Sequence, residues 1–169
     1  MRIRAVAFDW GNTLMRVAPG QGGPMATWPQ VEAMPGVATA LEQIAPGVVC
    51  CVASNAGVSE AGQLRTALDR IGIGDRFAHI FTAYDLAVSK PDPRFFAAIL
   101  ATLKVAPAEC VMVGDDYQAD IAGAKRAGFR TVWVTSRPLA APPPDADAVN
   151  ASLFELPATL RRLDAASGS

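Results

Sequence analysis

Apolar residues along this chain gather in short runs, and between the runs they recur at helical spacing. Runs near 3–9, 47–53, 78–82, 110–114 and 130–135 are brief and rich in β-branched residues, which predicts strands rather than buried helices, with a weaker strand near 147–149. The intervening segments predict helices, several with recognisable starts. Pro35 stands at a first-turn position before Val37-Ala38-Thr39-Ala40-Leu41, Ser59 is placed to cap a segment through Leu68, and Pro93 opens Arg94-Phe95-Phe96-Ala97-Ala98-Ile99-Leu100. A further helix is expected from Ala119 to Ala127, closed by Gly128, and an amphipathic one from Ser152 to Leu163. Strands alternating with helices in this way predict an α/β fold around a parallel sheet.

Two stretches break the alternation. Residues 15–33 hold Pro19, Gly20, Gly22, Gly23, Pro24 and Pro29 and are expected to form a mobile loop directly after the first strand; Pro138 to Pro144 predicts a second Pro-rich loop. With 169 residues, 51% of them hydrophobic and 18% charged, the chain is long enough to bury a core without covalent staples. One domain over residues 1–164 is therefore expected, followed by a disordered tail over 165–169. The 15 basic and 16 acidic residues are interspersed, so no basic stripe points to nucleic acid. Cys50, Cys51 and Cys110 all sit inside apolar runs, as buried thiols of a reducing compartment would. No apolar run approaches the roughly 20 residues of a membrane span, and the N-terminus lacks a signal-peptide pattern, so a cytoplasmic protein is expected.

In a parallel sheet all carboxyl-terminal strand ends share one edge, where α/β folds bind ligands. Four strand ends or connections carry reactive groups that this edge brings into reach of one another. Asp9 follows the first run and opens Asp9-Trp10-Gly11-Asn12-Thr13-Leu14; Ser54-Asn55 follows the second; Lys90 lies in Ser89-Lys90-Pro91-Asp92-Pro93; and Gly114-Asp115-Asp116-Tyr117-Gln118-Ala119-Asp120 follows the fourth. An anionic nucleophile, a hydroxyl, a lysine and an acidic cluster suit a phosphorylated substrate. Asp9 and Asp115 offer hard oxygen ligands for Mg²⁺, and Lys90 offsets charge that would otherwise repel a carboxylate from a phosphoryl group.

These four segments, in this order and spacing, resemble the four motifs of the haloacid dehalogenase (HAD) superfamily, and the resemblance covers almost the whole chain. It implies a Rossmann-like three-layer α/β/α sandwich with sheet order 5-4-1-2-3. It also implies an Mg²⁺-dependent phosphohydrolase in which Asp9 becomes an aspartyl-phosphate. By the same resemblance Thr13, Ser54 and Asn55 would bind substrate, Lys90 would neutralise charge, and Asp9, Asp115 and the carbonyl of Gly11 would ligate the metal. Asp116 and Asp120 would act through metal-bound water or by orienting Lys90.

The chain departs from the family pattern in two places. Phosphatases of the family have Asp at the position of Gly11, where it protonates the leaving oxygen, and general acid–base help of that kind is worth roughly 10²–10⁴-fold. Three readings follow: a phosphatase that draws its proton from solvent, a substrate hydroxyl or another residue such as Asp116; a non-catalytic phosphate-binding or protein-interaction module; and a dehalogenase. The connections from Asp9 to Ser54 and from Lys90 to Asp115 are also short for the points where the family inserts cap domains, so no cap is expected. The partner is then a phosphorylated small molecule or macromolecule, and a homo-oligomer is expected if a neighbouring subunit serves as lid. Of the remaining residues, Asn12 suits a left-handed turn position and His79 reads as structural. Asp85 reads equally as a cap or a site group. Trp133 reads as strand core, Trp10 as packing beside the site or touching substrate, and Trp28 as a substrate platform or a subunit contact.

Overall fold

The computed structural model describes residues 2–166. Strand β1 (Ala5–Phe8) is wholly buried, and its side chains alternate between two cores. Val6 and Phe8 face one side, while the small Ala5 and Ala7 face the other. On the Val6 side pack α1 (Val37–Gln43), α2 (Ala61–Arg70) and α6 (Leu156–Ala165), through Val37, Leu41, Leu64, Leu68, Leu156 and Leu160. On the Ala5 side pack α4 (Pro93–Leu103) and α5 (Gly123–Arg126), whose Phe95, Phe96, Ile99 and Ala124 fill the room the alanines leave. The remaining helix, α3 (Ala83–Leu86), is one short turn.

The sheet is completed by β2 (Val49–Ser54), β3 (His79–Thr82), β4 (Cys110–Gly114), β5 (Arg130–Val134) and β6 (Ala148–Asn150). All neighbours are parallel, in the order β3-β2-β1-β4-β5-β6. This contains the expected 5-4-1-2-3 arrangement, with the weak run near 147–149 added as an edge strand beside β5. Central β1 and β4 are paired in register from Ala5↔Cys110 to Phe8↔Val113, so Asp9 and Asp115 leave the sheet side by side. No helix among the described residues is long and apolar enough to cross a membrane.

Several helix starts differ from expectation for local reasons. Pro35, expected in the first turn, lies just before α1, whose N-cap is Gly36. Glu60 rather than Ser59 caps α2, because Glu60 and Gln63 exchange hydrogen bonds in a capping box while Ser59 is buried. The helix expected over 119–127 begins two residues earlier as a wide π-helical turn, Tyr117–Ala122, and becomes α-helical only in α5. The last helix starts at Leu156 after a 3₁₀ turn at Leu153–Glu155 and runs into Ala165; residues 167–169 of the expected tail lie outside the described residues.

Segment 15–33, expected as a mobile loop, is tied at its base and along its length. Met15 bridges Ala33, the Arg16 N–H donates to the Glu32 carbonyl, and Arg16 and Glu32 form an ion pair of 3.1 Å. From α2 the Arg70 guanidinium donates to the carbonyls of Ala26 (3.1 Å), Trp28 (2.8 Å) and Pro29 (3.0 Å). Trp28 is buried, and its indole N–H donates to the Gly22 carbonyl within the same loop. The expected roles of Trp28 as a substrate platform or subunit contact are therefore corrected: the ring is buried within this chain and its indole N–H is bonded inside the loop. Arg70→Ala should cost about 1–2 kcal/mol of stability and speed amide exchange across residues 22–29. Unchanged exchange in that window would show that Arg70 does not hold the loop.

Candidate active site

Asp9 is carried one residue past β1, and its N–H donates to the Val113 carbonyl of β4, which fixes where the carboxylate emerges. The chain then turns sharply, with the Leu14 and Met15 N–H groups both on the Trp10 carbonyl and Asn12 in the left-handed region at φ 56°. Among the described residues no backbone N–H is bonded to the Gly11 carbonyl. Trp10 itself is buried in the core under the turn. Thr13, also buried, places its hydroxyl 3.2 Å from Asp9 Oδ2 and 3.2 Å from Asp115 Oδ1, bridging the two strand-end carboxylates.

Lys90 crosses beneath this turn with its side chain almost fully buried. Its Nζ lies 2.8 Å from Asp9 Oδ1 and 2.6 Å from Asp120 Oδ1. Burial alone would lower the Lys90 pKa, but the charges and hydrogen bonds of Asp9 and Asp120 outweigh it and raise it, so the ammonium stays protonated. Asp120 is driven upward chiefly by its own burial, against the pull of Lys90. The other oxygen of Asp120 accepts from the Asp116 N–H at 3.1 Å. This position depends on glycine at the end of β4, since a Cβ on Gly114 would lie 2.2 Å from Asp120 Oδ2. Gly123 performs a matching service for Lys90: a Cβ there would lie 2.8 Å from Pro91, so only glycine lets α5 approach the Lys90-Pro91 segment this closely.

The structure brings the expected residues together with some reassignment of duties. A pocket is lined by Asp9, Gly11, Ser54, Lys90, Asp115 and Asp120, with Asn55 and Asp116 on its wall. Ser54 Oγ accepts from the Ala56 N–H at 3.0 Å, which leaves its own proton free to donate into the pocket. Asn55, expected to bind substrate, instead clasps the backbone of Lys90, with its Oδ1 accepting at 2.8 Å and its Nδ2 donating at 2.9 Å. Asp116 caps the π-helical turn, accepting from Gln118 and Ala119 N–H groups at 2.9 Å. Asp85 caps α2 and accepts from Thr82, away from the pocket, and His79 lies on edge strand β3. Trp133 is only partly buried, and its indole N–H donates to the Asp115 carbonyl at 3.0 Å, a supporting role missed when it was read as strand core.

Oxygens of Asp9, Asp115 and Asp120 lie within 4.8 Å of one another, yet only one ammonium stands among them. Asp120 is engaged by Lys90 and the Asp116 N–H, which leaves Asp9 and Asp115 as the less committed carboxylates of the pocket, with Gly11 also on its wall. An all-oxygen donor set with surplus negative charge fits a hard divalent cation such as Mg²⁺. The surplus is visible in Asp115, whose pKa burial and the nearby Asp9 charge push up to about 6.

A family model described as haloacid dehalogenase-like hydrolase matches residues 22–128. The chain is 41% identical over 70 residues to the phosphoserine phosphatase of Thermus thermophilus, covering 41% of this chain and 28% of that protein. It is 41% identical over 64 residues to the glyceraldehyde 3-phosphate phosphatase of Pyrococcus furiosus, covering 38% of this chain and 27% of that protein. The chain thus spans little more than a quarter of the length of these curated relatives. Among solved structures, an uncharacterized protein from Listeria monocytogenes serotype 4b superposes with a TM-score of 0.83 at 27% identity, over 95% of this chain and 98% of that one.

A carboxyl whose pKa is raised on folding binds its proton more tightly in the native state. Its contribution is present below the ordinary carboxylate pKa and is lost as pH rises through about 6, unless a cation takes the proton's place. Mg²⁺ at about tenfold its Kd should therefore raise Tm by roughly 3–6 °C at pH 7.5 and by less than half of that at pH 5. A shift that is equal at both pH values, measured by differential scanning fluorimetry, would contradict metal binding at Asp9 and Asp115.

Proposed function

Because the chain belongs to the haloacid dehalogenase-like hydrolase family, we propose that it hydrolyses phosphomonoesters of small molecules with Asp9 as nucleophile. The observation that carries this reading is the charge arrangement, three clustered carboxylates sharing one buried ammonium. Such a site favours a cation and an anionic group together over a neutral substrate. The relatives named as phosphatases support the same class of substrate.

In this reading Asp9, Asp115 and the Gly11 carbonyl hold Mg²⁺, which when bound neutralises phosphoryl charge and fixes the group for in-line attack. Asp9 forms a bond to phosphorus as the bond to the leaving oxygen breaks, giving an aspartyl-phosphate and an alkoxide that takes up a proton. Water then attacks phosphorus, releasing inorganic phosphate and restoring the carboxylate. Lys90 offsets the equatorial oxygen charge, with Asn55 and Asp120 as positioning residues for its backbone and its ammonium. Ser54 donates its hydroxyl proton to a phosphoryl oxygen, while Thr13, whose hydroxyl proton lies on the Asp9 and Asp115 carboxylates, holds those two groups in place. Asp116 is a poor replacement for the missing acid, since one of its oxygens is already committed to two backbone N–H groups. The leaving group's proton is left to solvent or a substrate hydroxyl, which confines good turnover to esters with leaving groups that need little help. Between β1 and β2 lie one 3₁₀ turn and α1, and we read the site as uncapped.

Gly11 also favours a second reading, a module that binds phosphate without turnover. A panel of phosphate esters and acyl phosphates with Mg²⁺ separates the two: phosphate release that Asp9→Asn lowers by at least about 10³-fold supports the enzyme. Binding of phosphate without release from any compound would sink it. Gly11→Asp should raise turnover of poor leaving groups by roughly 10²-fold or more. The fold should accept it, because Gly11 lies outside the left-handed region and an added Cβ meets only the tip of the exposed Val17 side chain, at 3.0 Å. Equal rates in the folded variant would mean that proton transfer does not limit the reaction.

A further inference from the structure

Beside the phosphoryl pocket, and sharing Asp115 and Asp116 with it, lies a cavity of about 610 Å³. This volume is in the range of small-molecule sites. Its walls come from four adjacent strand ends: the turn after β1 with Asn12 and Thr13, Asp115 after β4, Thr135 to Arg137 after β5, and Ser152 after β6. Arg137 is the cation of these walls. Its backbone N–H donates to the Thr135 hydroxyl, which anchors the residue at the strand end, while its exposed guanidinium makes no ion pair among the described residues. Tyr117, which lines the floor, is fixed by donating its hydroxyl to Asp145 at 2.8 Å and by edge contact with Trp133.

Resting on the proposed phosphoryl site, we infer that this cavity holds the organic part of the substrate and that Arg137 selects a carboxylate on it. A single molecule entering from the Asp115 side meets acidic groups suited to a cation-bound phosphoryl end. It then meets hydroxyls of Ser136 and Ser152, and the only positive charge on the wall. A phosphomonoester whose carbon chain also bears a carboxylate matches that sequence of groups; the guanidinium recognises the carboxylate through paired N–H donors. The volume, in the range of small-molecule sites, suits such a small acid.

The test is calorimetric titration of full-length Asp9→Asn protein with Mg²⁺ in all arms, using two matched pairs. These are 3-phosphoglycerate against glycerol 3-phosphate, and 6-phosphogluconate against sorbitol 6-phosphate. The expected result is that at least one acid binds about tenfold or more tighter than its neutral counterpart, and that Asp9→Asn with Arg137→Gln loses this preference while binding the neutral ester unchanged. No preference in either pair, or a preference that survives Arg137→Gln, overturns the assignment. If neutral esters still bind, that failure belongs to Arg137 alone; if no ester binds the Asp9→Asn protein, the same pairs are compared by wild-type kcat/KM with Mg²⁺, and phosphate release from none of them takes the phosphoryl-site reading down as well.

Discussion

The buried ammonium of Lys90, held at 2.8 Å and 2.6 Å between Asp9 and Asp120, is the constraint around which the rest of the site is arranged. Removing a lysine head group from water costs several kcal/mol, and only close carboxylates return it. Each neighbouring feature can be traced to that need. Gly114 lacks a side chain so that Asp120 can lie over the end of β4, and Gly123 lacks one so that the Lys90-Pro91 segment can come near. Asn55 clamps the Lys90 backbone from the end of β2. The wide turn at Tyr117–Ala122 carries Asp120 inward while its first residues stay capped by Asp116.

The same arrangement leaves the site with more carboxylate than ammonium, and the proposed function rests on that imbalance. A fully compensated cluster would be a structural ion network with no appetite for a ligand. Here burial, and then the nearby Asp9 charge, push the Asp115 pKa up to about 6, so a cation beside it would relieve both costs. Gly11 is then a selective loss. In the proposed reading it removes a proton-transfer group while sparing a backbone carbonyl that no N–H in the described chain claims, which would separate metal and phosphoryl binding from acid catalysis.

Much of this was legible from strand ends. Asp9, Ser54, Lys90 and Asp115 were singled out because a parallel sheet gathers its carboxyl ends, and the pocket does contain all four. The same rule applied to β5 and β6 would have found Thr135, Ser136, Arg137 and Ser152, which carry no motif and were passed over. Residues read by type alone fared worse. Ser59 looked like a cap and is buried while Glu60 caps the helix; Asn55, read as a substrate donor, also gives its Oδ1 and one amide N–H to the Lys90 backbone. Trp28 read as a substrate platform or a subunit contact, and is buried with its indole N–H on the Gly22 carbonyl. In each case the competing partner lies near in space, or in a reciprocal local bond, that residue type does not encode.

By itself the sequence determined the alternation of buried strands and amphipathic helices, and with it the parallel sheet and the edge where chemistry must sit, because hydrophobic period and strand-end position are local properties. Only the tertiary structure decided which polar groups are left over for a ligand. Hydrogen-bond capacity is finite, and how much Asn55 and Asp120 have to spare depends on partners 35 and 30 residues away, placed within about 3 Å by packing. It likewise decided that the cavity beside Asp115 has a single cationic wall residue, since Arg137 reaches it only after β5 and β6 have joined the sheet.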